Sequence, residues 1–146
     1  MSHRIQRSAL LPHSAQQMFE LVDAVERYAE FVPGVEVSEV HSRDAETLVA
    51  TLTLQRAGVR LALRTRNLRY PNERLVMTLE DGPFRHFGAE WRFKQLGDAG
   101  VKVEFEAEFE LARVPFASAA AKLIESVAGR LVDAFRIRAA QVYGAA

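Results

Sequence analysis

The chain has 146 residues, 49% of them hydrophobic, and its 19 basic and 19 acidic side chains give a formal net charge of zero. It therefore has no overall attraction to nucleic acid or an anionic membrane, and either partner would need a local basic patch. The absence of cysteine excludes disulfides, zinc–thiolate sites and cysteine nucleophiles, and it fits the reducing cytoplasm. This length is typical of one domain, expected here over 1–146. No run of about 18 apolar residues predicts a membrane span.

The N-terminal segment predicts one strand followed by two short helices. The strand covers His3–Leu11 and ends at Pro12. Ser14 and Gln17 have the spacing of a capping box, in which each side chain accepts a hydrogen bond from the other's backbone N–H. A second helical turn follows, and Pro33-Gly34 ends it.

Six further strands are predicted by alternating apolar and polar residues between turn-forming residues. Their expected ranges are 35–43, 46–56, 59–70, 73–80, 87–96 and 101–112. The short connections favour a meander in which consecutive strands pair antiparallel. In the last strand apolar side chains alternate with Lys102 and four glutamates, so one face is expected to be buried and the other hydrated.

The hairpin between the last two strands allows a prediction of register. Trp91 must share the buried face with Phe105. A three-residue loop at 98–100 meets this condition and places its glycine in the left-handed conformation that such loops need. The hydrated face then carries two oppositely charged cross-strand pairs, Lys94 with Glu104 and Arg92 with Glu106.

A long amphipathic helix is predicted from Pro115 to Tyr143. At 1.5 Å per residue it would be roughly 40 Å long. Its apolar stripe repeats at the helical period through Ile124, Ala128, Leu131, Phe135, Ala139 and Val142. Because the sheet offers the large apolar surface that this stripe needs, the helix is expected to lie on the sheet.

The order of elements and several short motifs resemble one known family across nearly the whole chain. The motifs are Ser8–Ala15, Tyr28–Gly34, Ala57–Val59, Thr65–Asn67, Asp81–Phe84, Trp91–Phe93 and Ala134–Tyr143. The Gly-Pro-Phe turn followed seven residues later by Trp-x-Phe is fairly specific in this context. They resemble the family of ribosome association toxin RatA and coenzyme Q-binding proteins, which belongs to the START-related, polyketide cyclase-like helix-grip superfamily.

The resemblance implies an α+β fold, in which a seven-stranded antiparallel curved sheet wraps around a long C-terminal helix and two short helices follow strand 1. It also implies two functions. The first expectation, favoured by the neutral net charge, is non-enzymatic binding of ubiquinone or a similar isoprenoid lipid in support of respiration. The alternative is binding to the large ribosomal subunit, which blocks subunit association and inhibits translation, as in a toxin–antitoxin system. Both roles imply a cytoplasmic protein, and the lipid role also allows peripheral association with the inner membrane.

The apolar inner face supplies candidate ligand-binding residues. Its periodicity fits a filled core as well as a pocket, but the resemblance implies a cavity beneath the long helix. Burying an isoprenoid tail there would gain about 25 cal/mol per Å² removed from water. Phe84, in the Gly-Pro-Phe turn, would either pack in the core or guard the cavity mouth. The candidates are Phe31, Leu52, Leu63, Met77, Phe84, Trp91, Phe93, Phe105, Phe109, Val127, Leu131 and Phe135.

Three arginines form a candidate ribosome-contact surface, named here the arginine stripe. Arg60, Arg64 and Arg66 share the outward face of the predicted strand 59–70. Such a stripe is either a hydrated face with cross-strand ion pairs or a surface for the phosphates of ribosomal RNA. Interleaved aromatic residues are missing, so a groove for single-stranded RNA is not expected.

No catalytic residue, metal ligand or resident cofactor is expected. The four histidines are scattered without the spacing of metal ligands. The glutamates of the last predicted strand alternate with apolar residues and face solvent, so they form no buried acid pair. Polyketide cyclases on this fold are enzymes, but nothing in this sequence identifies an acid–base pair, and we therefore expect a binding protein.

Overall fold

The computed structural model describes residues 2–144, which form a seven-stranded sheet, one long helix and two short helices. A 3-10 turn at Val25–Arg27 joins the short helices. The predicted α+β helix-grip fold is confirmed. The elements are β1 (His3–Leu11), α1 (Ala15–Asp23), α2 (Tyr28–Phe31), β2 (Val35–Arg43), β3 (Thr47–Arg56), β4 (Val59–Tyr70), β5 (Arg74–Asp81), β6 (Phe84–Leu96), β7 (Gly100–Leu111) and α3 (Ala117–Tyr143).

The sheet is a meander with one added edge strand. Strands β2 to β7 pair in sequence and β1 pairs with β7, which gives the order β1-β7-β6-β5-β4-β3-β2 with every pair antiparallel. Register shifts interrupt the pairing in β2, between Arg64 and Thr65 of β4, and near the start of β6. Such irregularities bend strands, so the sheet curves around the buried face of α3.

The predicted capping box at the start of α1 is present. The Ser14 hydroxyl accepts a 3.0 Å hydrogen bond from the Gln17 backbone N–H, and the Gln17 side chain accepts one of 2.9 Å from the Ser14 N–H. Two N–H groups that a helix start leaves without partners are thereby satisfied. The buried face of α1, including Met18 and Val22, then lies against the sheet end and α3.

The predicted hairpin register is wrong by two residues. Lys94 opposes Lys102, and Arg92 opposes Glu104. The loop has the predicted three residues but uses 97–99, and its left-handed glycine is Gly97, with φ +57°. Gly100 belongs to β7 instead, where a Cβ would lie 2.2 Å from the Leu11 carbonyl oxygen. A shift of two keeps every side chain on its predicted face, so the buried face is unchanged.

Helix α3 begins at Ala117, two residues later than predicted from Pro115. Phe116 precedes it with a left-handed φ of +63°, a conformation that cannot continue a right-handed helix. The buried side chains of α3 include Leu123, Val127 and Phe135. Within residues 2–144 no helix is long and apolar enough to cross a membrane.

The turn between α2 and β2 packs tightly under α3 because it contains a glycine. Gly34 has φ +90°, and a Cβ on this residue would lie 2.7 Å from the Val127 Cγ2 atom. The turn after α2 therefore requires glycine both for its backbone conformation and for the contact with the helix. This contact sets the height of α3 above one side of the sheet.

Candidate functional site

A small apolar cavity lies between the inner face of the sheet and the middle of α3. Its volume is about 60 Å³. It is lined by Tyr28, Val35, Leu52, Leu54, Leu63, Met77, Phe87, Ala89, Trp91, Phe105, Ala107, Ile124, Val127, Ala128 and Leu131. The fold and this position of the cavity define a helix-grip domain with an apolar interior.

Three of the residues that line the cavity are alanines, whose small side chains leave space. Ala89 and Ala107 are direct cross-strand partners on β6 and β7, and Ala128 lies on the part of α3 that covers them. The neighbouring positions in these strands carry Trp91 and Phe105, whose ring centroids are 4.7 Å apart. The cavity therefore sits where alanines face each other beside a packed aromatic cluster.

The lining includes one phenol, that of Tyr28, which is already engaged. The buried Tyr28 hydroxyl donates a hydrogen bond to the Val22 carbonyl oxygen. Burial, followed by the nearby carboxylates Asp23 and Glu26, raises the pKa of Tyr28 above its usual value. The phenol thus stays neutral and acts as a structural tie between α2 and α1.

Seven of the twelve predicted ligand-binding residues line the cavity. They are Leu52, Leu63, Met77, Trp91, Phe105, Val127 and Leu131. These residues lie on elements from β3 to α3, and the curved sheet brings them together around the cavity. That they contact a ligand stays a prediction.

The other five predicted residues lie outside the cavity wall. Phe93 packs against Phe19 of α1 at 5.8 Å between ring centroids, and Phe109 is stacked with His3 at 4.8 Å. Phe84 is buried, with its ring against those of Phe109 and the cavity-lining Phe87; whether it also guards the cavity mouth stays a prediction. The remaining two, Phe31 and Phe135, form an edge-to-face pair at 5.2 Å. Phe135 also touches Trp91, which connects α3 to the aromatic cluster.

Eight lining residues were not among the candidates. They are Tyr28, Val35, Leu54, Phe87, Ala89, Ala107, Ile124 and Ala128. Phe87 and Ala89 share the alternation of Trp91, so extending the same face along β6 would have found them. The facing alanines Ala89 and Ala107 are the stronger indication of a cavity, because opposed small side chains on a buried face leave space.

A buried polar pair lies beside the apolar wall. Thr65 and Asn67 are each 2% exposed on the inner face of β4, and the Thr65 hydroxyl donates a 3.0 Å hydrogen bond to Asn67 Oδ1. Asn67 is the strand partner of Met77, a cavity-lining residue. Both residues belong to one of the family motifs, yet alternation alone gave no reason to expect polar groups here.

The arginine stripe is exposed but electrically compensated. Arg60 pairs with Glu36 at 3.1 Å, and Arg64 and Arg66 both pair with Glu80, at 3.1 Å and 2.9 Å. Desolvation by itself would raise the pKa of Glu80, but the hydrogen bonds from Arg66 and Arg64 outweigh it, so the pKa lies below its usual value. Its carboxylate is therefore charged at neutral pH, and the stripe presents much less net charge than three arginines suggest.

Comparison with known proteins gives a consistent family. Residues 11–136 match the family model described as polyketide cyclase / dehydrase and lipid transport. The ribosome association toxin RatA of Pseudomonas aeruginosa is 38% identical over 144 residues, covering 99% of this chain and 100% of that protein. The mitochondrial coenzyme Q-binding protein COQ10 of Drosophila melanogaster is 26% identical, over 88% of this chain and 55% of that protein. The crystal structure of the Zhui aromatase/cyclase from Streptomyces superposes with a TM-score of 0.79 over all of both chains at 18% identity, a likeness of fold.

The fold and cavity define a START-like helix-grip protein. The chain belongs to the polyketide cyclase / dehydrase and lipid transport family, in the group that contains the RatA and COQ10 proteins.

Proposed function

We propose that the protein is a non-enzymatic ribosome-binding protein that attaches to the large ribosomal subunit in the cytoplasm and hinders subunit association. The observation that carries the proposal is the 38% identity to a ribosome association toxin along 99% of the chain. Because this identity extends along nearly the whole length of both proteins, it bears on partners more than a shared fold does.

The size of the interior favours a function on the outer surface. The cavity measures about 60 Å³. Pockets for drug-sized ligands are commonly about 300–1,000 Å³, so a quinone with its tail does not fit without movement of α3 or the sheet. This comparison reverses the order of the two functions expected from the sequence.

The chemistry of the cavity wall favours binding over catalysis. Its lining side chains are apolar apart from Tyr28, whose hydroxyl is held by the Val22 carbonyl. General acid–base catalysis requires a titratable group that is free to reach the substrate. We therefore propose a binding role on a fold that also serves enzymes.

The test of the ribosomal role is sedimentation with purified subunits. The protein is expected to migrate with large subunits, to leave small subunits unbound, and to lower the fraction of joined ribosomes. Binding is expected to weaken steeply as KCl rises, because phosphate contacts release counterions. A protein that stays at the top of the gradient at low salt, with joined ribosomes unchanged, would contradict the proposal.

A second candidate function is the binding of a small hydrophobic molecule, such as part of a quinone or isoprenoid. The lining under α3, which is apolar apart from Tyr28, favours it, as does the likeness to a coenzyme Q-binding protein. A bound guest would have to widen the cavity by moving α3, and burial of its apolar surface would stabilise the protein.

Ala107→Val tests the hydrophobic-ligand role. The two added methyl groups should fill part of the cavity and abolish any rise in melting temperature caused by a short-chain ubiquinone. Ala62→Val, at an exposed position of β4, is the matched control and should keep the ligand-induced rise. If the wild type shows no rise and carries no lipid in native mass spectrometry, this second role is wrong.

A further inference from the structure

One corner of the outer sheet face brings four basic side chains together. Arg74 of β5 is the direct strand partner of Arg92 of β6, and Lys94 of β6 is the direct partner of Lys102 of β7. Arg92 and Lys94 are two residues apart and point to the same face. We call these four residues the basic corner. Cross-strand neighbours lie about 5 Å apart, so the corner forms a continuous row of positive charge.

Most of the basic corner lacks compensating acids. Arg92 is compensated, since it lies within 4.0 Å of Glu90, Glu104 and Glu106. Arg74, Lys94 and Lys102 make no ion pair within residues 2–144. The arginine stripe, in contrast, has a carboxylate for each of its members, one of them shared.

The like-charged cross-strand pair Lys94 and Lys102 works against folding, because neither lysine has an acidic partner among residues 2–144. Like charges directly opposite each other in a sheet destabilise it, whereas opposite charges would stabilise it. Neither the core nor the turn requires lysine at position 94 or 102, because both side chains point away from the buried face. An anionic ligand would relieve the repulsion, and this points to a binding role.

The surroundings of the basic corner favour RNA over a lipid surface. The partly exposed Tyr70 ring lies at the edge of the corner, with the Arg74 guanidinium 4.3 Å from its centre. The Tyr70 face is thus covered by Arg74, and a row of basic side chains binds nucleic acid through its phosphates, so the expected contact is with an RNA backbone and not with stacked bases. Attachment to a membrane surface commonly requires an amphipathic helix or a broad apolar face, and the corner lies on a strand surface with Leu10 as its exposed apolar neighbour.

We infer that the basic corner is a phosphate-binding surface for RNA. The inference rests on the proposed function for the identity of that RNA, which is ribosomal RNA of the large subunit. The site itself is defined by Arg74, Lys94 and Lys102, whose charges are uncompensated. Arg92 is paired with three glutamates and therefore contributes less charge.

The test compares three variants with the wild type. Lys94→Gln with Lys102→Gln removes the two unpaired lysines of the corner, which are direct strand partners. Arg60→Gln with Arg64→Gln removes two charges of the arginine stripe, and Lys122→Gln removes an exposed charge from α3. Each protein is titrated with a short RNA duplex, with purified large subunits, and with vesicles of phosphatidylcholine and phosphatidylserine, over a range of KCl concentrations. Melting temperatures verify folding, and the corner variant should melt at or above the wild-type temperature because a repulsion is removed.

The corner variant is expected to bind both the duplex and the large subunit about 10-fold or more weakly. Its slope of log affinity against log salt should be shallower by about 2, since about one unit is lost per phosphate contact. The stripe variant should lose less, and Lys122→Gln should match the wild type. Vesicles should not bind.

Other outcomes separate the inference from the proposed function. Duplex binding that depends on the corner, without binding to large subunits, supports the inference and contradicts the ribosomal role. Subunit binding that is unchanged in the corner variant, or is lost only in the stripe variant, overturns the inference and leaves the ribosomal role intact. A wild type that binds no RNA, or a corner that affects only vesicle binding, also overturns it.

Discussion

Trp91→Ala is expected to lower the free energy of unfolding by about 3–5 kcal/mol, because it removes the largest side chain of the core. Trp91 is 1% exposed, and its ring contacts Phe105 and Phe135 at centroid distances of 4.7 Å and 5.3 Å. Phe135 belongs to α3, so this contact joins the helix to the sheet. The space left by the removed ring would also join the existing cavity, so the surrounding side chains could not easily close it.

Urea unfolding followed by circular dichroism is the appropriate measurement. Fluorescence cannot serve for this variant, because Trp91 is the one tryptophan of the chain. Leu10→Ala, at a position that is 71% exposed, is the control and should change the free energy by less than about 0.5 kcal/mol. A loss below about 1 kcal/mol for Trp91→Ala would mean that the interior rearranges readily. A readily rearranged interior would strengthen the case for a ligand under α3.

Alternation of side chains was sufficient to predict the buried face of the sheet. In β7 the side chains of Val101, Val103 and Phe105 are buried, and a register error of two residues does not alter this. The error came from the two glycines of the hairpin. Either glycine can adopt a left-handed conformation, and Gly100 is the one that β1 approaches closely, where a Cβ would meet the Leu11 carbonyl oxygen. That approach is a tertiary contact between distant residues.

The cavity wall was only partly predictable from the sequence. Alternation shows which side chains of a strand point inward, but it does not show which of these reach the cavity. Phe93, Trp91 and Phe105 all point inward, yet Phe93 is covered by Phe19 of α1, while the other two line the cavity. Which inward residues face the cavity depends on where the helices lie across a curved sheet. Periodicity within one strand does not contain this information. Pairing β6 with β7 does reveal that Ala89 faces Ala107, and this indicates where space remains.

The charge of the outer sheet face was likewise only partly predictable from the sequence of single strands. Arg60, Arg64 and Arg66 were rightly expected to face outward, but their carboxylate partners come from other strands. The basic corner was hidden, because the wrong register paired Lys94 with Glu104 instead of Lys102. A shift that leaves burial unchanged can therefore reverse the electrostatic interpretation of a surface.

Breaking the ion pair between Asp23 and Arg69 is expected to cost about 3 kcal/mol, since one charge would be left without its partner in a mostly buried site. Two parallel hydrogen bonds join the groups: Arg69 Nε donates to Asp23 Oδ1 at 2.8 Å, and Arg69 Nη2 donates to Asp23 Oδ2 at 2.7 Å. Their side chains are only 16% and 13% exposed. Arg69 also donates to the Asp44 carbonyl, so it connects the end of α1, strand β4 and the turn before β3.

A double-mutant cycle isolates this pair. Asp23→Asn and Arg69→Met should each destabilise the protein strongly, whereas the double variant should lose less than the sum, because neither charge then remains unpaired. The coupling energy is expected to be about 1–3 kcal/mol, measured by urea unfolding with Trp91 fluorescence. Additivity of the two single effects within about 0.5 kcal/mol would show that the pair is not coupled. In that case the position of α1 on the sheet would depend on its apolar face and on its other hydrogen bonds, such as the one from the Ala15 N–H to Gln95 Oε1.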